Sequence, residues 1–141
     1  MAASGSDFTD ITGIAYADLS SAQYYLVRTT GVDTTYSAEN LTITLCIGSS
    51  GGINGPKGVL QNDPSSYESA QVRVVGLTKL VCGEAVSVGD LITSSTAGTG
   101  IIADTTGAFF CGRAETATTA SGDIFSCRLF GGLSTFMGST A

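Results

Sequence analysis

The 141-residue chain contains no histidine and no tryptophan. Without His, neither a Ser-His-Asp nor a Cys-His nucleophile can be assembled. The side chain that most often moves protons near neutral pH is missing as well. Charge is scarce too, at 13% of residues against the ~25% of an ordinary soluble domain. Cations are the scarcer sign, with six Lys+Arg against twelve Asp+Glu, a net charge of −6 and a pI near 4.2. A nucleic-acid binder works through a basic patch that displaces phosphate counterions. Here Arg28, Lys57, Arg73, Lys79, Arg113 and Arg128 stand singly along the chain, so no nucleic-acid partner is expected. Nor is a membrane partner, because there is no basic amphipathic helix and no apolar run near the ~20 residues of a spanning helix. The start, Met1 to Phe8, lacks the cationic and apolar regions of a secretory signal, and cytosolic synthesis is the expectation.

The four cysteines, Cys46, Cys82, Cys111 and Cys127, are 36, 29 and 16 residues apart. Structural zinc sites pair their ligands at two-to-four-residue spacing, so neither a metal nor a cofactor is expected. Each cysteine lies in or beside a strand-like run. Buried free thiols are therefore the first expectation, and one or two disulfides the alternative. Residues 48–55 are Gly-rich but lack the GxxxxGK[ST] phosphate cradle and run into Pro56 rather than a helix. Asp90 and Asp123 could form a carboxylate pair, but each follows a Gly at a turn, where backbone capping explains it. Tyr24-Tyr25 and Phe109-Phe110 could stack a sugar or a base. As neighbours in strands they project to opposite faces, so core and interface roles fit better. No catalytic, cofactor-binding or metal-binding residue is assigned, and no enzymatic activity is expected.

What the chain does have is 19 Gly, 17 Ser and 19 Thr, and short alternating runs punctuated every 8–12 residues. Strands are expected at Gln23 to Arg28, at Asn40 to Ile47, and at Val59 to Asn62 after the turn at Asn54 to Gly58. In the second of these, Leu41, Ile43, Leu45 and Ile47 face one way and Thr42, Thr44 and Cys46 the other. Further strands are expected at Gln71 to Cys82 with a bulge at Gly76, at Leu91 to Thr93, and at Ile101 to Ala103. The last two are Phe109 to Ala114 and Ile124 to Phe130, the latter with Phe125, Cys127 and Leu129 on one face. Gly89-Asp90 and Gly122-Asp123 both sit immediately before an apolar strand, as two similar turns. Ala114 to Ala120 is the one stretch with room for a helical turn. The expected fold is all-β, a small single-domain β-barrel or sandwich over residues 14–130. A mobile N-terminal arm (1–13) and a C-terminal tail (131–141) flank it, the tail having Phe136 and Met137 as its large apolar anchors.

Residues 58–130 also resemble a known family. Gly58-Val59-Leu60-Gln61-Asn62 with Pro64, Val75-Gly76-Leu77-Thr78-Lys79, Val88-Gly89-Asp90, Gly112-Arg113-Ala114-Glu115-Thr116-Ala117 and Gly122-Asp123 occur in the order seen in the head decoration (capsid cement) proteins of tailed bacteriophages. The first 57 residues match only loosely. The resemblance implies a small β-rich protein, usually a homotrimer, assembled in the host cytoplasm. Such a protein binds the major capsid protein on the outer surface of the virion and locks the shell. A neutral, hydroxyl-rich binding face is expected for that role. Two other readings stay open: another virion β-module (a head fibre or tail component), and a carbohydrate-binding β-module.

Overall fold

The computed structural model describes residues 8–32, 41–48, 55–104 and 109–135. They form nine strands: β1 (Thr9–Ala15), β2 (Leu26–Val32), β3 (Leu41–Leu45), β4 (Gly58–Leu60), β5 (Ser69–Val81), β6 (Leu91–Ser94), β7 (Gly100–Ile102), β8 (Phe109–Ala114) and β9 (Ile124–Thr135). No helix occurs among the described residues, and Ala114 to Ala120 leaves β8 through bends instead. The fold is all-β.

Strands β1, β3, β2, β4 and β5 pair in that order, and β5 pairs back with β1, closing a five-stranded barrel. Only the β1–β3 pair of this barrel is parallel. Closure removes the unpaired edges that would template aggregation. From β5 a second sheet continues through β9, β8, β6 and β7, and a single Cys82–Gly100 bridge ties β7 back to the end of β5.

The two sheets share a wall. Along β2 and β4, and just beyond β3, successive residues point alternately into two cores. Val27 and Leu60 fill the barrel with Ala15, Ile43, Ala70 and Val72. Leu26, Val59 and Cys46 face the second core, with Leu80, Ile92, Phe125 and Leu129. A strand covered on both faces needs apolar residues at every position, which is why Tyr24 to Val27 and Val59-Leu60 read as unbroken apolar runs.

Several expectations need correction. Residues 9–13 of the expected arm are most of β1, the strand that closes the barrel. Their outward positions are Thr9, Asp10 and Thr12, and their inward ones are Ile11 and a Gly13 whose bare backbone admits Ile43. That composition looks like a polar arm although the chain is paired. Residues 1–7 lie outside the described residues. At the other end, residues 131–135 of the expected tail lengthen β9, where Ser134 and Thr135 pair with Phe110 and Phe109 of β8. Phe136 and Met137 lie outside the described residues.

The strand expected from Gln23 begins only at Leu26. A turn closed by the Tyr25 N–H on the Ala22 carbonyl precedes it, and Tyr24 sits at φ +68°. Nor do the four apolar residues from Leu41 share one face throughout. Ile43 is fully buried, but the strand ends at Leu45 and the Cys46 N–H bonds the Leu26 carbonyl. Cys46 faces the second core, opposite to Ile43 as alternation requires, but the strand has already ended and Ile47 is left 50% exposed. The register shift in β5 falls opposite Thr9-Asp10, between Arg73 and Val75, rather than at Gly76. Gly76 itself adopts φ +103° and pairs in register with Leu129.

Candidate docking face

The outer faces of β5, β9, β8 and β6 form one continuous surface, and register fixes who stands beside whom. Directly opposed residues share a face, so Leu91, Arg113, Arg128 and Leu77 form one transverse row. The next row holds Phe130 and Val75, and Phe110 meets Phe130 edge-on with ring centroids 6.1 Å apart. On the other side of Arg128, Ser126 stands opposite Lys79, and then Ile124 opposite Val81. Val75, Leu77 and Phe130 are 38%, 43% and 45% exposed. Large apolar side chains collected in this way mark an interaction surface more often than a random exterior.

The same face gathers four of the six cations. Arg73 is the most engaged. Its Nε and Nη2 bond the two Asp10 carboxylate oxygens (2.9 and 3.3 Å), and Nη1 donates to the Leu77 carbonyl. Its guanidinium also covers the Phe8 ring at 3.9 Å. This set staples β1 to β5. Arg113 donates to the Gly89 carbonyl, and Arg128 lies 3.6 Å from Glu115. Two arginines directly opposed across a strand pair repel each other. Asp90, next to Leu91, turns its carboxylate away onto the Ser87 N–H. The cations that stand singly in sequence thus converge in space because they occupy outward positions of adjacent strands. The face is apolar and cationic.

Where β4 parts from β5, an open groove of about 290 Å³ adjoins this face, lined by Tyr24, Gln61, Arg73, Leu77, Thr78, Lys79 and Ser126. The Lys79 ammonium lies 5.7 Å from the Tyr24 ring centre. Gln61 donates to the Thr78 hydroxyl at 2.8 Å, fixing the groove floor.

The other candidate residues fall into structural roles. Tyr24 and Tyr25 pack against different cores. Asp90 caps Ser87, and Asp123 accepts from the Thr119 and Ala120 N–H groups at 3.3 and 3.2 Å. Gly89 (φ +94°) and Gly122 (φ +95°) supply the left-handed residue of the two matching turns. All four cysteines are buried thiols. Burial pushes the Cys127 thiol up to about 12 and that of Cys111 well above its ordinary value. Residues 49–54 of the Gly-rich segment lie outside the described residues. No cluster of metal-ligating side chains occurs among the described residues.

No protein-family model matches the chain, and no curated protein does. Among solved structures, the chain is similar in fold to the N base of the head fiber gp8.5 of bacteriophage phi29. Sequence identity is 17%, the likeness covers 89% of this chain and 96% of that one, and the TM-score is 0.66.

Proposed function

We propose that this chain is a non-enzymatic structural protein of a tailed-phage virion, a decoration protein on the outer face of the head. There it stabilises contacts between major capsid protein subunits as a homotrimer. The observation that carries this reading is the fold likeness to the base of a phage head fibre, which spans nearly the whole of both chains. The ordered motifs of residues 58–130 support it independently. A surface poor in charge, with an apolar face, suits lasting contact with other protein. The carboxylates weighed as a catalytic pair are engaged as turn caps.

A cement acts by mass action. A ligand that binds only the mature shell stabilises it by roughly 2.7 kcal/mol per site at a hundredfold excess over Kd. Mixing purified protein with capsids that lack it should give saturable co-sedimentation and raise the temperature at which the shells open. Absence of both would refute the reading.

The same fold likeness favours a second reading, the base of a head fibre. Electron microscopy of the reconstituted particles separates the two. A cement occupies the lattice at every equivalent position, whereas a fibre base projects an extended structure from its attachment points.

A further inference from the structure

The apolar, cationic face has a counterpart at one pole of the barrel. The loop after β1 (residues 16–20) and the loop before β5 (63–68) lie side by side. The Tyr67 N–H bonds the Ala15 carbonyl, and the Leu19 N–H bonds that of Pro64. These loops expose Tyr16 and Tyr67, at 57% and 53%, together with the carboxylates of Asp18, Asp63 and Glu68, and carry no cation. Asp18 is fully exposed, and its bonds from Ser20 hold its carboxyl below the usual range, so it is ionised at working pH. The Glu68 carboxylate accepts the Ser65 N–H at 2.8 Å, which fixes the second loop.

The two surfaces cannot serve each other within one molecule. The pole adjoins Ser69, which stands opposite Ile14. At ~3.3 Å per residue, Val75 lies about 20 Å along β5 from there, and Lys79 about 33 Å. Lys79, and Arg128 opposite Leu77, thus stand several Debye lengths (~8 Å at physiological salt) of strand away from the pole's carboxylates, so the charges used in the contact do not neutralise each other within one copy.

We propose that the acid and tyrosine pole of one copy docks on the β5–β9–β8 face of a second copy. Asp18, Asp63 and Glu68 meet Lys79, Arg113 and Arg128, while Tyr16 and Tyr67 cover Val75, Leu77 and Phe130. Tyrosine and arginine are the residues that most often anchor interfaces, and here both are available on the two sides. Two different patches meet, so the contact is heterologous and propagates from copy to copy, closing into a ring when the rotation between copies allows, as a homotrimer requires. This inference rests on the self-association proposed above and names its surfaces. It does not depend on capsid binding.

Sedimentation velocity of the full chain at low and high salt tests it, with three charge-reversed proteins. Arg113→Glu/Arg128→Glu alters the face, Asp18→Lys/Asp63→Lys alters the pole, and the third protein carries all four changes. The expected results are a wild-type oligomer that loosens with salt, at least tenfold weaker association in each double variant, and recovery in the quadruple variant. A wild type monomeric throughout would remove self-association altogether. A wild-type oligomer unaffected by either double variant, or a folded quadruple variant that stays apart, would leave self-association standing and overturn this contact. Carbodiimide cross-linking of wild-type protein needs no variant to fold. It should join Lys79 to Asp18, Asp63 or Glu68 in the oligomer fraction, and cross-links through Lys57 instead would equally overturn the contact.

Discussion

Ile43 and Ile47 are the same residue four positions apart, and the fold assigns them opposite fates. Ile43 is fully buried in the barrel among Ala15, Ala22, Ala70 and Val72. Its Cγ1 lies 2.7 Å from where a Gly13 Cβ would stand, so it fills a space that its neighbour leaves empty. The barrel is closed, so the hole left by Ile43→Ala has little means of collapsing. The cost should fall in the middle to upper part of the ~2–5 kcal/mol range for such truncations, about 3–4 kcal/mol. Unfolding entropy of ~2.1 cal/mol/K per residue gives ~0.3 kcal/mol/K for this chain, hence a Tm drop of ~10–13 °C. Ile47 is 50% exposed, and Ile47→Ala should cost about 1 kcal/mol or less, a shift of ~3 °C. Calorimetry of both variants in one buffer decides. Equal shifts would mean that Ile47 is buried as Ile43 is and that the strand does not end at Leu45.

Three further outcomes follow from the cores and turns. A thiol reagent should leave all four cysteines unlabelled in the native protein over the time in which it labels four per chain in denaturant; rapid native labelling, or fewer than four thiols after unfolding, would contradict the buried placement. In the unfolded chain Cys127 ionises near 9, whereas in the fold it does so near 12, so the folded state holds its proton longer. The Cys127 contribution to stability should therefore be level below pH 9 and fall as pH rises from 9 towards 12, read as a declining denaturant midpoint over that window; a midpoint flat there would count against the burial. Gly112→Ala would drive a Cβ to 2.5 Å from the Arg128 carbonyl oxygen and 2.9 Å from the Cys127 sulfur, and should cost ~1–3 kcal/mol in denaturant unfolding; a neutral effect would show that β8 and β9 do not approach so closely.

Where one face of a strand meets a core and the other meets solvent, period-two alternation carries the information. Phe125, Cys127 and Leu129 are legible for that reason, as are the bounds of β8 and the start of β9. Alternation fails in two circumstances. The β2–β4 wall is buried on both faces, so its apolar runs have no phase to read. β1 is the reverse case, because its inward positions include Gly13 and its outward ones are polar, and nothing local separates it from a tail. The docking face was illegible for a third reason. Arg73, Lys79, Arg113 and Arg128 are dispersed over more than fifty residues and converge only through the β5–β9 and β8–β9 registers, which sequence periodicity does not specify. The two Gly-Asp turns, by contrast, are wholly local devices, and their backbone and capping bonds match the sequence reading.

The shared wall also bears on how the docking face is supported. Leu26, Cys46 and Val59 reach the second core from the same segments whose neighbours Val27, Leu45 and Leu60 reach the first. If the second sheet peeled away, it would expose the back of the barrel wall. If the barrel opened, β5 would lose the pairing that holds it at both β1 and β4. Each core therefore stabilises the backbone of the other, and the two should unfold in one cooperative transition. Val75 ends that doubly held stretch, Leu77 and Lys79 follow it where β5 pairs with β9, and the Arg73–Asp10 pair and the Phe8 ring brace the barrel end. A face mounted on hydrogen-bonded strands loses little conformational freedom when a partner covers it, so more of the contact energy is retained as affinity.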